Sequence, residues 1–202
     1  MRMSKAWGNL TRDEKAAWNV WAKSNPMVLD ASLVRRVSGR KAFSLVEGNR
    51  RTAGAALTPT VLPADVVWLE APLSARDCPP DVEDGAGVML RAEANIPGGT
   101  KFFIWATPPL LGTVRAVRGH FRFMGVVTTP AMTADEQTAD LIATYEPVCG
   151  PIVRLGDLEV WPAEDAFIYF RIHEYKNGQL GPGVGAKAGP FVCPEPEPEP
   201  GS

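Results

Sequence analysis

The residues of this chain that could do chemistry are few and scattered. Two histidines, His120 and His173, and three cysteines, Cys78, Cys149 and Cys193, are the nitrogen and sulfur groups available for ligation or attack. Neither histidine belongs to an HExxH or HxH pair and no CxxC occurs, so zinc-ligand spacing is missing. His173 and Glu174 are neighbours, which places them on opposite faces of an extended chain and spoils a simple acid–base dyad. A strand histidine at a rim or interface is the plainer reading. Cys149 is followed by Gly150-Pro151, with no adjacent basic group to lower its pKa. There is no Gly-x-Ser-x-Gly elbow, no GxxxxGK[ST] and no GxGxxG. GPGVGAKAG at 181–189 is glycine-rich, but it follows a turn rather than opening a helix, so it reads as a loop or edge strand. Asp77, Asp81, Glu83 and Asp84 gather around Gly85 and supply oxygen ligands of the kind calcium takes. They lack EF-hand spacing and read more simply as an acidic turn. The expectation is a non-enzyme with no catalytic residue, no cofactor and no metal. The cysteines are expected as ordinary thiols, with at most one disulfide among them.

The strongest positive signal is basic. Arg35, Arg36, Arg40, Lys41, Arg50 and Arg51 lie close in sequence, with Glu47 the only acid among them. If Ser38 to Arg51 is helical, Arg40 and Lys41 stand at its positive end and oppose the dipole. A chain that accepts this cost is using the charges for contact, with phosphate or with acidic side chains of another subunit. No stacking aromatics interleave with these cations and no DNA-reading motif surrounds them, which favours protein over nucleic acid as the partner.

Those charges need elements to hold them. Thr11-Arg-Asp-Glu14 is a capping box that opens a helix through KAAWNVWAK, with Trp18, Trp21 and Ala22 as its apolar stripe and Ala17 and Val20 widening it. Ser24-Asn25-Pro26 ends it. Met27 to Val37 is a connection, extended at Leu33-Val34. Ser38 caps a second helix, GRKAFSLVEGNRR, with Ala42, Phe43 and Val46 on one face. Strands are predicted at Val66–Glu70, Val88–Ala94, Lys101–Thr107, His120–Thr128, Asp140–Tyr145, Ala166–Tyr175 and Ala186–Val192. Thr133-Ala-Asp-Glu136 is a second capping box and predicts a helical turn before Asp140. In the long strand, Phe167, Tyr169, Arg171, His173 and Tyr175 share one face, with Ile168, Phe170, Ile172 and Glu174 on the other. Asn177-Gly178 then predicts a tight hairpin turn.

Together these predict a mainly β protein. An antiparallel immunoglobulin- or fibronectin-III-like sandwich over residues 57–192 follows a basic helical head of two short helices at 1–56, and a Pro/Glu tail occupies 193–202. Nineteen Pro and nineteen Gly in 202 residues suit so turn-rich an architecture. The formal net charge of -2 conceals a division: residues 1–54 carry 11 Lys+Arg against 4 Asp+Glu, a balance of +7, and the remainder carries −9. The tail PEPEPEP has no means of burying a core and favours a polyproline-type extended chain. MRMSKAWGNL has no apolar signal region and no stretch is long enough to span a membrane, so cytoplasmic synthesis is expected, with a virion or extracellular particle as a destination.

The motifs W-x2-LT, AAWNVWA, NP, Asp30, SGRKAF and NRRTAG, followed by WATPPL, ATYEPVCG, LGDLEVWP, AFIYFRIHEY and NGQLGPG, form a pattern over about residues 7–190. It resembles a family of bacterial and phage-associated proteins in which a short helical segment precedes a fibronectin-III- or immunoglobulin-like sandwich. The resemblance implies a structural or surface role and brings no activity with it. The combined expectation is a structural or assembly subunit of a phage-like particle or filament, its basic head and its tail laid on another copy. The alternatives are a nucleic-acid-binding module using the basic helices, and a carbohydrate- or surface-binding sandwich using Trp68, Trp105 or Trp161.

Overall fold

The Thr11 hydroxyl accepts the Glu14 N–H at 3.2 Å while the Glu14 carboxylate accepts the Thr11 N–H at 2.7 Å, so the capping box forms as read. The structure is a computed structural model that describes residues 3–31, 33–69, 73–78, 87–111, 113–114, 116–134, 137–140, 142–149 and 166–189. The capped helix is α2 (Arg12–Ser24), preceded by α1 (Met3–Asn9) and followed by α3 (Gly39–Thr52), whose N-cap Ser38 accepts the Lys41 N–H. Trp18, Ala22, Ala42, Phe43 and Val46 are buried together, with Leu10 and Met27 completing a small core. Trp18 meets Phe43 edge-on at 5.5 Å and Trp7 lies 5.4 Å from the same ring. Ala17 and Val20, expected to widen the α2 stripe, are exposed instead; α1 and α3 fill the narrower face. The connection expected at 27–37 is a hairpin, β1 (Met27–Asp30) against β2 (Leu33–Arg35).

The β part is antiparallel throughout its described pairings. A six-stranded sheet is centred on β9 (Ala166–Lys176). On one side β9 pairs with β5 (Lys101–Ala106) and β6 (Leu110–Leu111); on the other it pairs with β10 (Gln179–Leu180) and β11 (Val184–Ala188). Thr107-Pro108-Pro109 separates β5 from β6, because proline cannot donate to the ladder. The far edge is β7 (Arg122–Thr128), paired with β5 through a bulge at Met124. A second sheet orders β3 (Leu73–Cys78), β4 (Gly87–Ala92) and β8 (Gln137–Asp140), and its β3 lies beside β11.

The alternation in β9 decides what is inside. Ile168, Phe170 and Ile172 are at most 2 % exposed and join Phe102, Ile104, Ala106, Leu73, Ala92 and Tyr145 in the main core. Each such side chain contributes roughly 1.5–3 kcal/mol by leaving water. At the turn after β9, Asn177 and Gly178 have φ of 51° and 86°, the left-handed pair a two-residue hairpin requires. A Cβ on Gly178 would also come within 2.6 Å of Val46 Cγ1, so the turn presses directly on α3.

The head is thereby joined to the end of the sheet. Asn49 donates to the Gly178 carbonyl at 3.0 Å, Lys101 donates to the Ala53 carbonyl, and Gln179 donates to Ala64 at 2.9 Å.

Two predicted strands differ. Residues 66–69 are irregular, since their backbone is held by side chains: Leu69 N–H donates to Glu174 at 2.8 Å and Lys176 donates to the Val67 carbonyl at 2.6 Å. The stretch expected as strand at Asp140–Tyr145 turns after β8 into α4 (Ile142–Cys149), anchored by the Tyr145 hydroxyl donating to the Thr107 carbonyl at 2.8 Å. The last strand begins earlier than expected, at Val184. Glu136 and the tail lie outside the described residues. No described helix is long and apolar enough to cross a membrane.

Candidate interaction surface

His173 stands in β9 with 2 % of its surface exposed. Its Nδ1 lies 2.9 Å from the Gly181 carbonyl and its Nε2 3.3 Å from the Ala31 carbonyl, linking the β1–β2 hairpin to the sheet. Trp105 meets the ring edge-on at 5.1 Å. Burial holds the imidazole below its ordinary pKa of 6.5, against the two carbonyls, which favour the charged form, and Arg171 adds to the lowering. The unfolded chain therefore takes up this proton first as pH falls. The stabilisation is complete above the unfolded value and is lost as pH drops through 6.5 toward the folded value. The midpoint of thermal unfolding is expected to fall between about pH 8 and about pH 5, with that dependence reduced in His173→Gln. Equal pH slopes for the two proteins would contradict this account.

Cys149 is buried, its thiol 3.7 Å from the Ala106 carbonyl, and burial raises its pKa. That is the setting of an inert packing cysteine rather than a nucleophile. His120 is exposed at the end of a 3-10 turn, Val117–His120. Asp81, Glu83, Asp84, Gly85, Trp161 and Cys193 lie outside the described residues, as do the side chains of Asp77 and Cys78. Among the described residues no three His, Cys, Asp or Glu side chains gather as a metal site.

The structure divides the six predicted basic residues. Arg35 ends β2, Arg36 follows it, and Arg40 and Lys41 open α3; all four are exposed. Arg51 is exposed in the last turn of α3, about 16 Å along the axis from Arg40. Arg50 is different: it is buried, ion-paired with buried Glu47, and donates to the Thr58 carbonyl at 3.2 Å. Its role is structural, at the joint between head and sheet. Only the i, i+3 spacing of the pair marks this role in linear order.

A second cationic region forms on the outer face of the six-stranded sheet, from segments far apart in the chain. Phe103, Trp105, Phe123 and Tyr175 make a contiguous aromatic strip there, with Phe103 stacked on Tyr175 at 5.5 Å and Trp105 tilted against Phe123 at 5.0 Å. Trp105 is thus engaged by its neighbours, and Trp68 packs against Gly181 with the Lys176 ammonium 5.9 Å from its ring centre. Beyond Trp105 lies a groove of about 390 Å³. Arg118, Phe121, Tyr169, Arg171, Gly185 and Lys187 line it. The Lys187 ammonium sits 3.4 Å above the Phe167 ring, which fixes it by a cation–π contact. Arg171 lies across the backbone of β11: a Cβ at Gly185 would stand 2.5 Å from its Nη1, so only glycine leaves room for the guanidinium. No acidic residue lines the groove among the described residues.

Comparison with family models, with curated proteins and with solved structures finds no match for this chain.

Proposed function

We propose that this chain is a non-enzymatic assembly subunit, an immunoglobulin- or fibronectin-III-like body carrying a basic helical head, suited to a phage-like particle or filament. The observation that supports it is the rigid display of charge. Arg35, Arg36, Arg40 and Lys41 are exposed around the positive end of α3, on a head hydrogen-bonded to the sheet through Asn49 and Lys101. Such a placement opposes the helix dipole by a few tenths to about 1 kcal/mol, and among the described residues no ion pair of these four offsets it. The matching surface is the acidic remainder of the chain on a neighbouring copy, in a head-to-body contact that repeats rather than closing on itself.

Sedimentation at low and high salt tests this. Oligomers are expected at low salt, dissociating as salt screens the contact. The combined replacement of Arg35, Arg36, Arg40 and Lys41 by Glu is expected to give monomer under all conditions. A strict monomer at high concentration and low salt overturns the reading. Salt-dependent retention on nucleic acid, lost in the same variant, would replace it with a nucleic-acid-binding one.

A further inference from the structure

The groove on the outer sheet face has no acidic residue in its described lining with which to meet a basic head, and its chemistry is specific. Three cations from three segments, Arg118, Arg171 and Lys187, converge beside the rings of Phe121 and Tyr169. None of the three makes an ion pair among the described residues. Cations fixed beside aromatic rings suit a ligand that is acidic and extended, with flat apolar faces between its charges. A Pro-Glu repeat has that form: proline rings pack on aromatic side chains, and the polyproline helix is ordered before it binds.

The chain carries such a segment, and the strand that lines the groove leads to it. Residues 194–200 read PEPEPEP, beginning seven positions after Lys187. Glu195, Glu197 and Glu199 would be spaced by about 6 Å in a polyproline helix, and the six residues from Gly189 to Glu195 reach about 19 Å. That is ample to double back across β11 to a groove formed by β11 itself. The geometry points to an intramolecular clasp: the acidic Pro-Glu tail docks in the Arg118–Arg171–Lys187 groove of its own chain. Tethering favours the chain's own groove over a neighbour's, because a short linker holds the segment at an effective concentration in the millimolar range.

The test uses a fluorescent PEPEPEP peptide, its PQPQPQP analogue, the full chain and a chain ending at residue 192. The shortened chain is expected to bind PEPEPEP at low salt, and PQPQPQP at least about tenfold more weakly. Arg118→Glu and Lys187→Glu, each at the solvent-facing side of the groove, are expected to weaken peptide binding about tenfold or more. The full chain is expected to bind the peptide about tenfold more weakly than the shortened one, since its own tail competes. No binding to the shortened chain, binding indifferent to either charge reversal, or equal binding by full and shortened chains would each overturn the clasp. A dimer that disappears on removing the tail would also overturn it, because the tail would then be exchanged between copies. Reversing Arg35, Arg36, Arg40 and Lys41 leaves peptide binding unchanged, so the clasp and the assembly reading fail separately.

Discussion

Replacing Arg50 with Ala is expected to lower the unfolding free energy by about 3–5 kcal/mol. The reason is the partner left behind. Glu47 is 1 % exposed, and its second carboxylate oxygen, Oε2, accepts no hydrogen bond within the described structure. Arg50 supplies the neutralising charge and also donates to the Thr58 carbonyl. Without it a buried carboxylate has no compensation, and the Thr58 carbonyl keeps only the Val61 N–H of its two donors, losing its tie to α3. The damage spreads to the joint with the sheet. Burial holds Tyr175 above its ordinary pKa, opposed by a backbone hydrogen bond at Gly178 and by the Arg50 charge, while the Glu47 charge adds to the rise. For a chain of this size the loss corresponds to about 6–20 °C in melting temperature. The companion experiment separates charge from packing. Glu47→Leu combined with Arg50→Met removes both ions at similar volume and is expected to regain most of the lost stability, because a buried pair contributes little beyond a hydrophobic replacement. Urea unfolding of the three proteins checks this; a single variant within about 1 kcal/mol of wild type would refute it.

The second large effect is expected at Trp18. This side chain is 1 % exposed, meets Trp21 and Phe43 edge-on, and donates its indole N–H to the Pro59 carbonyl at 3.2 Å. Trp18→Ala removes the largest member of a small core and is expected to cost about 3–5 kcal/mol. Trp18→Phe keeps most of the ring and loses the hydrogen bond, so it should cost clearly less. Denaturant curves give both values. Equal losses for the two variants would show that the hydrogen bond, not the packed ring, holds the linker to the head. A negligible loss on truncation to Ala would mean that the head is not organised around this ring.

Local chemistry made much of this fold legible in the sequence. Thr11, Ser38 and Asn177-Gly178 each carry their own geometric requirement, and the helices and hairpin stand where those residues place them. Alternation located β5 and β9 because one face of each is buried. The errors arose where distant contacts override local preference. Ile142, Thr144, Tyr145 and Val148 favour strand individually, yet α4 is helical, with Tyr145 and Cys149 both tied to the backbone at Ala106-Thr107. Val66 to Leu69 have strand composition, but Glu174 and Lys176 take up the backbone groups a neighbouring strand would have used.

The groove was hidden for a sharper reason. The turn pairs Gln179 with Lys176, and continuing that pairing would set Lys187 opposite Ile168, on the core side. Its observed partner is Tyr169. Gly181-Pro182-Gly183 absorbs one residue, and a slip of one residue moves a whole strand's side chains to the other face. Arg118 arrives from a 3-10 turn some fifty positions away, which no linear spacing reveals.

The bulge in β7 bears on how copies of this chain would associate. Among the described residues β7 pairs with β5 alone, so its outer edge is a potential template for strand addition by another chain. The extra residue at Met124, beside Gly125 with φ of 145°, kinks that edge and breaks the even run of donors and acceptors an incoming strand would need. Crowded copies are thereby steered away from irreversible amyloid-like stacking. Joining through charged side chains instead lets ionic strength take an assembly apart again.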